Sequence, residues 1–159
     1  MSEYQFVEKP LLNQLASMNW TVVEQSAGIP TDPGKSLRSS FREVVIKTEF
    51  IKAVNAINLH DGKVWLTHEQ LEDLYEDFTN FGVRRLLENN QQFIERLNKW
   101  QVDKNVVTDE PDPVVKIIDF DNWDANSFVA INQYRLDTPG GVKECIIPDI
   151  VLLGNGLPL

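Results

Sequence analysis

The residue with the strongest chemical signature is an aspartate inside a run of apolar residues near the end of the chain. Asp149 follows Pro148 within residues 145–153, whose other members are almost all apolar. A carboxylate among apolar side chains is costly unless it is paired or bound to a cation. Because Pro-Asp dipeptides are common, the dipeptide alone favours a structural acid in a local turn or salt bridge.

The turn that follows this segment supports a role for Asp149 in binding a metal ion. Gly154–Asn155–Gly156 predicts a β-hairpin, and antiparallel pairing around Asn155 places Asp149 opposite a position at about 161. A hard cation such as Mg²⁺ would need at least one more oxygen ligand from there. Such a cation could activate water and stabilise the leaving oxygen of a phosphodiester. The returning strand begins at Leu157 and ends at Leu159, so the pattern predicts a chain cut within a hairpin.

Helices that could support this site are predicted from apolar residues at helical spacing. Pro10 must kink the first helix or lie in its first turn. Ser40 with Glu43, and Thr67 with Gln70, are capping-box patterns that open two further helices. The predicted helices are Tyr4–Met18, one starting after Ser40, one starting after Thr67, and Val83–Leu97.

The second half of the chain is richer in strands. One predicted strand alternates polarity and places the side chains of Phe128, Ala130, Asn132, Tyr134 and Leu136 on a single face. The order of elements by itself predicts a soluble α/β domain, and the cut hairpin predicts an incomplete C-terminus. The predicted strands are Trp20–Val23, Val114–Phe120, Phe128–Leu136, Cys145–Leu153 and Leu157–Leu159.

Composition narrows the class of protein. The net charge of −9 argues against a protein that coats nucleic acid, although local basic clusters and metal-binding carboxylates remain compatible with a nuclease. The lone Cys145 excludes an internal disulfide framework and fits a reducing cytoplasm. The N-terminus lacks the features of a signal peptide, and no apolar run is long enough to span a bilayer, so no membrane partner is expected.

Two neighbouring segments carry a family resemblance. The run 147–152 (Ile-Pro-Asp-Ile-Val-Leu), followed by Asn-Gly-Leu-Pro-Leu at 155–159, resembles the nuclease motif of the R subunits of type I restriction enzymes. In that family, Glu-x-Lys follows within a few residues and completes a P-D…(D/E)-x-K nuclease site. The resemblance extends from Tyr4 to Leu159 and includes Glu8–Leu12, Asn132–Gln133 and Arg85–Asn89.

The resemblance implies a restriction-endonuclease-like endonuclease domain over residues 1–159. Its fold would be a mixed sheet flanked by helices, with a helical insertion at about 40–97. Asp149 would bind Mg²⁺ and help to generate the attacking hydroxide, and Glu8 is a second candidate ligand because first helices in related nucleases aim a Glu at the metal. A solvated helix Glu is an equally open interpretation of Glu8. Without Glu-x-Lys, the chain itself is expected to be inactive.

The resemblance also implies partners. The full subunit would cleave unmodified foreign DNA after ATP-driven translocation, together with specificity and methylation subunits. No Walker A pattern occurs here, so ATP would bind elsewhere in the subunit. Phosphates could be neutralised by several basic residues, of which Lys143 lies nearest to Asp149 in sequence: Lys35, Arg38, Arg84, Arg85 and Lys143.

A non-enzymatic interpretation stays open beside this one. An acidic, helix-rich domain could dock onto another protein subunit, with the helical insertion as its functional surface. Asp149 would then be a structural acid. Binding of Mg²⁺ or Mn²⁺ that depends on Asp149 separates the two interpretations.

Overall fold

A computed structural model describes residues 4–25, 28–80, 86–102, 113–138 and 144–159. The chain divides into two compact units, Met1–Glu49 with Ser127–Leu159, and Phe50–Asn126. The helical insertion predicted at about 40–97 overlaps the second unit. No helix in the described ranges combines the length and apolarity needed to cross a bilayer.

The element bounds are as follows. The helices are α1 (Lys9–Ser17), α2 (Lys47–Ile57), α3 (His68–Thr79) and α4 (Leu86–Lys99). The strands are β1 (Thr21–Val23), β2 (Leu59–His60), β3 (Lys63–Val64), β4 (Trp100–Gln101), β5 (Val114–Val115), β6 (Phe128–Asn132), β7 (Leu136–Asp137), β8 (Cys145–Ile146), β9 (Ile150–Gly154) and β10 (Leu157–Pro158).

The first unit contains a mixed four-stranded sheet in the order β1-β6-β9-β10. β1 runs parallel to β6, whereas β6 with β9 and β9 with β10 are antiparallel. A parallel pair next to antiparallel ones, with a helix before the first strand, is a mixed α/β arrangement. The predicted fold class is therefore confirmed.

Helix α1 covers one face of this sheet. Leu12 and Leu15 are buried and pack with Ala130 of β6, and these three contact a ring of partly buried residues: Trp20, Val22, Ile150 and Leu152. Pro10 lies in the first turn of α1, one of the two placements that the sequence predicts. A π-helical turn, Tyr4–Glu8, precedes α1 and completes the predicted first helix.

The opposite face of the sheet packs against residues that precede α2. Its buried cluster consists of Ile46, Val129, Ile131, Tyr134 and Leu153. The Ile46 N–H donates to the Gly156 carbonyl over 2.9 Å, which ties this segment to the hairpin. Neighbouring residues of β6 thus alternate between the two faces, as a strand requires.

β6 ends earlier than the sequence predicts. The predicted strand continues to Leu136, but β6 stops at Asn132, and Gln133 has a φ of 49°. Ala130 packs on the α1 side, whereas Tyr134 lies in the cluster on the opposite face. The prediction of one continuous face is wrong beyond Asn132, because the left-handed residue shifts the alternation by one position.

The apolar segment before the hairpin is also interrupted. The predicted strand Cys145–Leu153 is divided into β8 and β9, with Pro148 and Asp149 between them. Pro148 has no N–H to donate to a ladder, which favours a break at this point.

The predicted hairpin turn is present. Asn155 and Gly156 have φ values of 49° and 79°, the left-handed pair of a type I′ turn. Leu157 pairs with Gly154, so the turn is centred between Asn155 and Gly156. The position opposite Asp149 therefore lies one residue further along the chain than predicted.

Two capping-box predictions have opposite outcomes. Thr67 Oγ1 accepts from the Gln70 N–H over 3.2 Å and Gln70 Oε1 from the Thr67 N–H over 2.9 Å, which confirms the start of α3. The Ser40 prediction is wrong, because α2 begins only at Lys47. There, Glu43 accepts the Lys47 N–H over 2.7 Å.

The second unit has its own core. Phe78 packs against Phe50 at 5.7 Å and against Phe93 at 5.5 Å between ring centroids. The predicted strand Val114–Phe120 shortens to β5, because the Asn58 side chain takes both backbone groups of Lys116, over 2.8 and 2.7 Å. These bonds replace the ladder partners that a longer strand would need.

Asp119 closes the loop after β5 and gives this unit a predicted pH dependence. Its Oδ1 accepts the N–H groups of Asn122 and Asp121 over 2.9 and 3.1 Å, and its Oδ2 lies 3.2 Å from the Lys116 ammonium. The Asn122 N–H contributes most to holding the pKa of Asp119 below its usual value, and Lys116 and Asp121 add to this effect.

A carboxyl with a lowered pKa stabilises the folded state above its unfolded pKa and loses that contribution as pH falls through the folded pKa. We therefore expect Asp119→Asn to destabilise the protein at neutral pH, with a difference from the parent that narrows below about pH 4. Urea unfolding at several pH values measures this, with the exposed Asp124→Asn as the matched control. A difference that stays constant into acid would contradict the role of Asp119.

Candidate metal and nucleic-acid site

Asp149 lies at one end of the sheet, immediately before β9. Its carbonyl accepts the Gln133 N–H over 2.8 Å, and the Pro148 carbonyl accepts the Tyr134 N–H over 2.9 Å. The side chain is exposed and makes no hydrogen bond or ion pair with the described residues. The backbone of Asp149 is thus fixed, while its carboxylate is bound by none of the described residues.

Glu8 is a buried acid. Only 7% of its surface is exposed, and Oε2 has no hydrogen-bond partner among the described residues. Its spacing from Leu12 and Leu15 places it on the sheet-facing side of the first helix. A buried polar atom without a partner costs about 1–3 kcal/mol. The open interpretation of Glu8 as a solvated helix residue therefore does not fit its burial.

The topology brings Glu8 and Asp149 to the same end of the sheet. A short turn joins α1 to β1, so the helix runs back along the strand, and its start lies over the end of β1. Tyr4 and Lys9 accordingly both contact Glu24, directly after β1. β1 runs parallel to β6, whose last residue, Asn132, pairs with Ile150. The residue after β1, the end of β6 and Asp149 therefore share one end.

Sequence reasoning missed most of the polar network at this end. Gln25 is buried; its N–H donates to Asn132 Oδ1 over 2.6 Å, and its Nε2 donates to the carbonyls of Asn132 and Gln133 over 2.9 and 3.0 Å. Asn132 is 1% exposed, and its Nδ2 has no partner among the described residues. Asn132 could have been found from the sequence, because an amide at the end of an apolar strand is unusual. No local sequence pattern identifies Gln25.

Glu24 forms an ion pair with Lys9, the residue that follows Glu8 in the chain. The hydrogen bond from Lys9, and then that from Tyr4, hold the pKa of Glu24 below its usual value. The same contact raises the pKa of Lys9. Lys9 is thus engaged with a carboxylate on the protein.

The described residues alone do not supply a complete metal shell. No group of three or more His, Cys, Asp or Glu side chains is assembled within the described ranges. Asp149 and Glu8 offer carboxylate oxygens, which suit a hard divalent cation.

The predicted DNA-contacting residues have different placements. Lys35 is exposed on a short 3-10 helix, Pro33–Ser36. Arg84, Arg85 and Lys143 lie outside the described residues.

Arg38 is only 3% exposed, with its guanidinium carbon 3.7 Å from the centre of the Tyr134 ring and its Nε donating to Ser36 Oγ over 2.9 Å. Burial lowers the pKa of Arg38. The guanidinium of Arg38 is therefore enclosed by protein atoms. The predicted contact with a phosphate backbone would require it to be exposed.

The fold of the chain and its sequence comparisons together define the class of protein. The mixed sheet with α1 on one face fits an α/β nuclease-like fold. The sequence model of the family described as type I restriction enzyme R protein N terminus matches residues 1–159. The chain belongs to this family.

Two relatives are similar over almost the whole chain. The type I restriction enzyme HindI endonuclease subunit of Haemophilus influenzae is 28% identical over 96% of the chain. A protein of Methanocaldococcus jannaschii, described as the MjaIXP endonuclease subunit of a type I restriction enzyme, is 27% identical over 100% of it. The matched region is 14% and 15% of the two relatives, so the chain spans about one-seventh of their length.

Proposed function

We propose that this chain contributes carboxylate ligands to a Mg²⁺-dependent endonuclease site in the R subunit of a type I restriction enzyme. The observation that carries the proposal is the placement of Asp149 and Glu8 at one end of the sheet. Asp149 presents an exposed carboxylate on a fixed backbone, and Glu8 presents a buried oxygen that has no partner among the described residues. Membership of the family supports DNA as the substrate class.

The donor set fits a hard cation. Both candidate ligands are carboxylates, and the buried Glu8 oxygen is costly unless something binds it. When bound, Mg²⁺ would lower the pKa of a water and offset charge on the leaving oxygen of the phosphodiester. Asp149 and Glu8 would hold the ion, and the buried layer beneath α1 would keep the Glu8 carboxylate away from bulk water.

DNA affinity would come mostly from other parts of the enzyme. The net charge of −9 opposes tight binding to a polyanion, although the exposed Lys35 can neutralise a phosphate. Specificity and methylation subunits would select the DNA, and ATP-driven translocation would reside elsewhere in the R subunit, in the cytoplasm. The chain by itself would lack cleavage activity.

Metal binding tests the proposal against the docking interpretation. We expect titration calorimetry of the intact R subunit with Mn²⁺ to show a site that Asp149→Ala removes. The control is Asp73→Ala, which removes an exposed aspartate from α3 in the second unit. Binding that Asp149→Ala leaves unchanged would reject the nuclease proposal and favour a domain that docks onto another subunit.

A further inference from the structure

The Gln25 side chain closes the end of β6 next to Asp149. Its Nε2 donates to two successive carbonyls, those of Asn132 and Gln133, over 2.9 and 3.0 Å. Its backbone N–H donates to the Asn132 side chain over 2.6 Å. These bonds begin only at the last residue of β6, so the regular ladder between β6 and β9 does not depend on them.

Gln133 is the residue that needs such support. Its φ of 49° lies in the left-handed region, which is unfavourable for a residue with a Cβ. A conformation of this kind persists only when its surroundings fix it. The Gln25 amide donates to the carbonyls of Asn132 and Gln133, which lie directly before and after the Gln133 N–Cα bond. These two bonds hold Gln133 in its left-handed conformation.

The left-handed residue in turn determines where Asp149 lies. The successive N–H groups of Gln133 and Tyr134 donate to the successive carbonyls of Asp149 and Pro148, over 2.8 and 2.9 Å. In a regular antiparallel ladder only alternate residues bond to one neighbour. This bulge-like irregularity locks the backbone of Asp149, and bulges of this kind re-aim side chains.

We infer that Gln25 is a positioning residue for Asp149. It acts through Gln133, by keeping the left-handed backbone whose N–H holds the Asp149 carbonyl. Loss of the Gln25 amide would free the segment 147–149 and misplace the Asp149 carboxylate without touching it. The inference rests on the proposed function, in which Asp149 is a metal ligand and so needs a fixed position.

Gln25→Met in the intact R subunit tests this role, since methionine matches the length of glutamine but cannot donate a hydrogen bond. We expect the Mg²⁺ concentration for half-maximal DNA cleavage to rise about tenfold or more, because residues that orient metal ligands contribute 10–100-fold. Saturating Mg²⁺ should recover much of the rate, and DNA-stimulated ATP hydrolysis should stay unchanged. The matched control is Gln91→Met, at an exposed position of α4.

A purely structural role for Gln25 predicts a different result. A smaller folded fraction would lower cleavage and ATP hydrolysis together and leave the Mg²⁺ midpoint unchanged, which would overturn the inference. A wild-type midpoint and rate in Gln25→Met would also overturn it. If Asp149→Ala cleaves normally, the proposed function fails; if only Gln25→Met does, the inference fails and the function stands.

A second variant keeps the test decisive if Gln25→Met folds poorly. Glycine adopts a positive φ without strain, so Gln133→Gly should need the Gln25 amide less. We expect the double variant Gln25→Met/Gln133→Gly to regain at least half of the loss in Mg²⁺ midpoint. A double variant that is folded but no better than Gln25→Met would show that Gln25 does not act through Gln133.

Discussion

Asp149→Ala in the intact R subunit is expected to lower the rate of DNA cleavage by about a thousandfold or more. A bound divalent ion contributes several kcal/mol to the stabilisation of charge in phosphodiester hydrolysis. A loss of about 4 kcal/mol corresponds to a factor of about a thousand. The Asp149 side chain is exposed, with no partner among the described residues, so its removal should leave the fold intact.

Cleavage of unmodified plasmid DNA and ATP hydrolysis should be measured on the same preparation of Asp149→Ala. ATP hydrolysis should remain at the level of the parent, because the proposed motor lies outside this chain. Asp73→Ala, on α3, should retain both activities. Undiminished cleavage by Asp149→Ala would reject its assignment as a metal ligand.

Glu8→Leu is expected to make the protein more stable and less active at once. The buried Oε2 of Glu8 has no partner among the described residues, and relief of such a group is worth about 1–3 kcal/mol. A leucine there would extend the apolar face formed by Leu12 and Leu15. Cleavage should fall strongly, because stability gained at a binding site is commonly offset by lost function.

Thermal unfolding in EDTA and in Mg²⁺ measures the first part of this result. The stability gain of Glu8→Leu should be largest in EDTA and shrink with Mg²⁺, because the ion would stabilise only the parent. Glu95→Leu, at an exposed position of α4, is the control and should show no such dependence. A destabilised Glu8→Leu variant that still cleaves DNA at the parental rate would show that Glu8 is a structural acid.

The parts of the fold that sequence predicted correctly are those with local physical causes. Thr67 with Gln70 forms its capping box because both partners lie within one turn. Asn155–Gly156 forms its turn because these residues tolerate the left-handed region. Asp149 could be selected as a candidate because a carboxylate in an apolar run is costly.

Two of the wrong predictions involve competition from distant residues. Ser40 resembles a helix start, but the segment that follows it packs against the hairpin. There the Ile46 N–H donates to the Gly156 carbonyl. The strand after Val115 ends because the Asn58 side chain, far away in sequence, takes the backbone of Lys116. Neither contact has a local signature.

The candidate site shows the same division. Glu8 was selected through family resemblance, yet its burial follows from the packing of α1 on the sheet, which periodicity alone does not reveal. Gln25 lies more than a hundred residues from Asn132 in the chain, and its role depends on the positive φ of Gln133. A non-glycine residue in that conformation could not have been predicted from the alternating pattern.

Metal mapping by iron-mediated backbone cleavage tests the central claim most directly. Fe²⁺ substituted for Mg²⁺ in the intact R subunit, with ascorbate and peroxide, cuts the polypeptide near the bound ion. Our account predicts cuts near residues 8 and 149 that excess Mg²⁺ suppresses and Asp149→Ala removes. Cuts confined to other parts of the subunit, or cuts at these positions that persist in Asp149→Ala, would contradict a metal site built on Asp149 and Glu8.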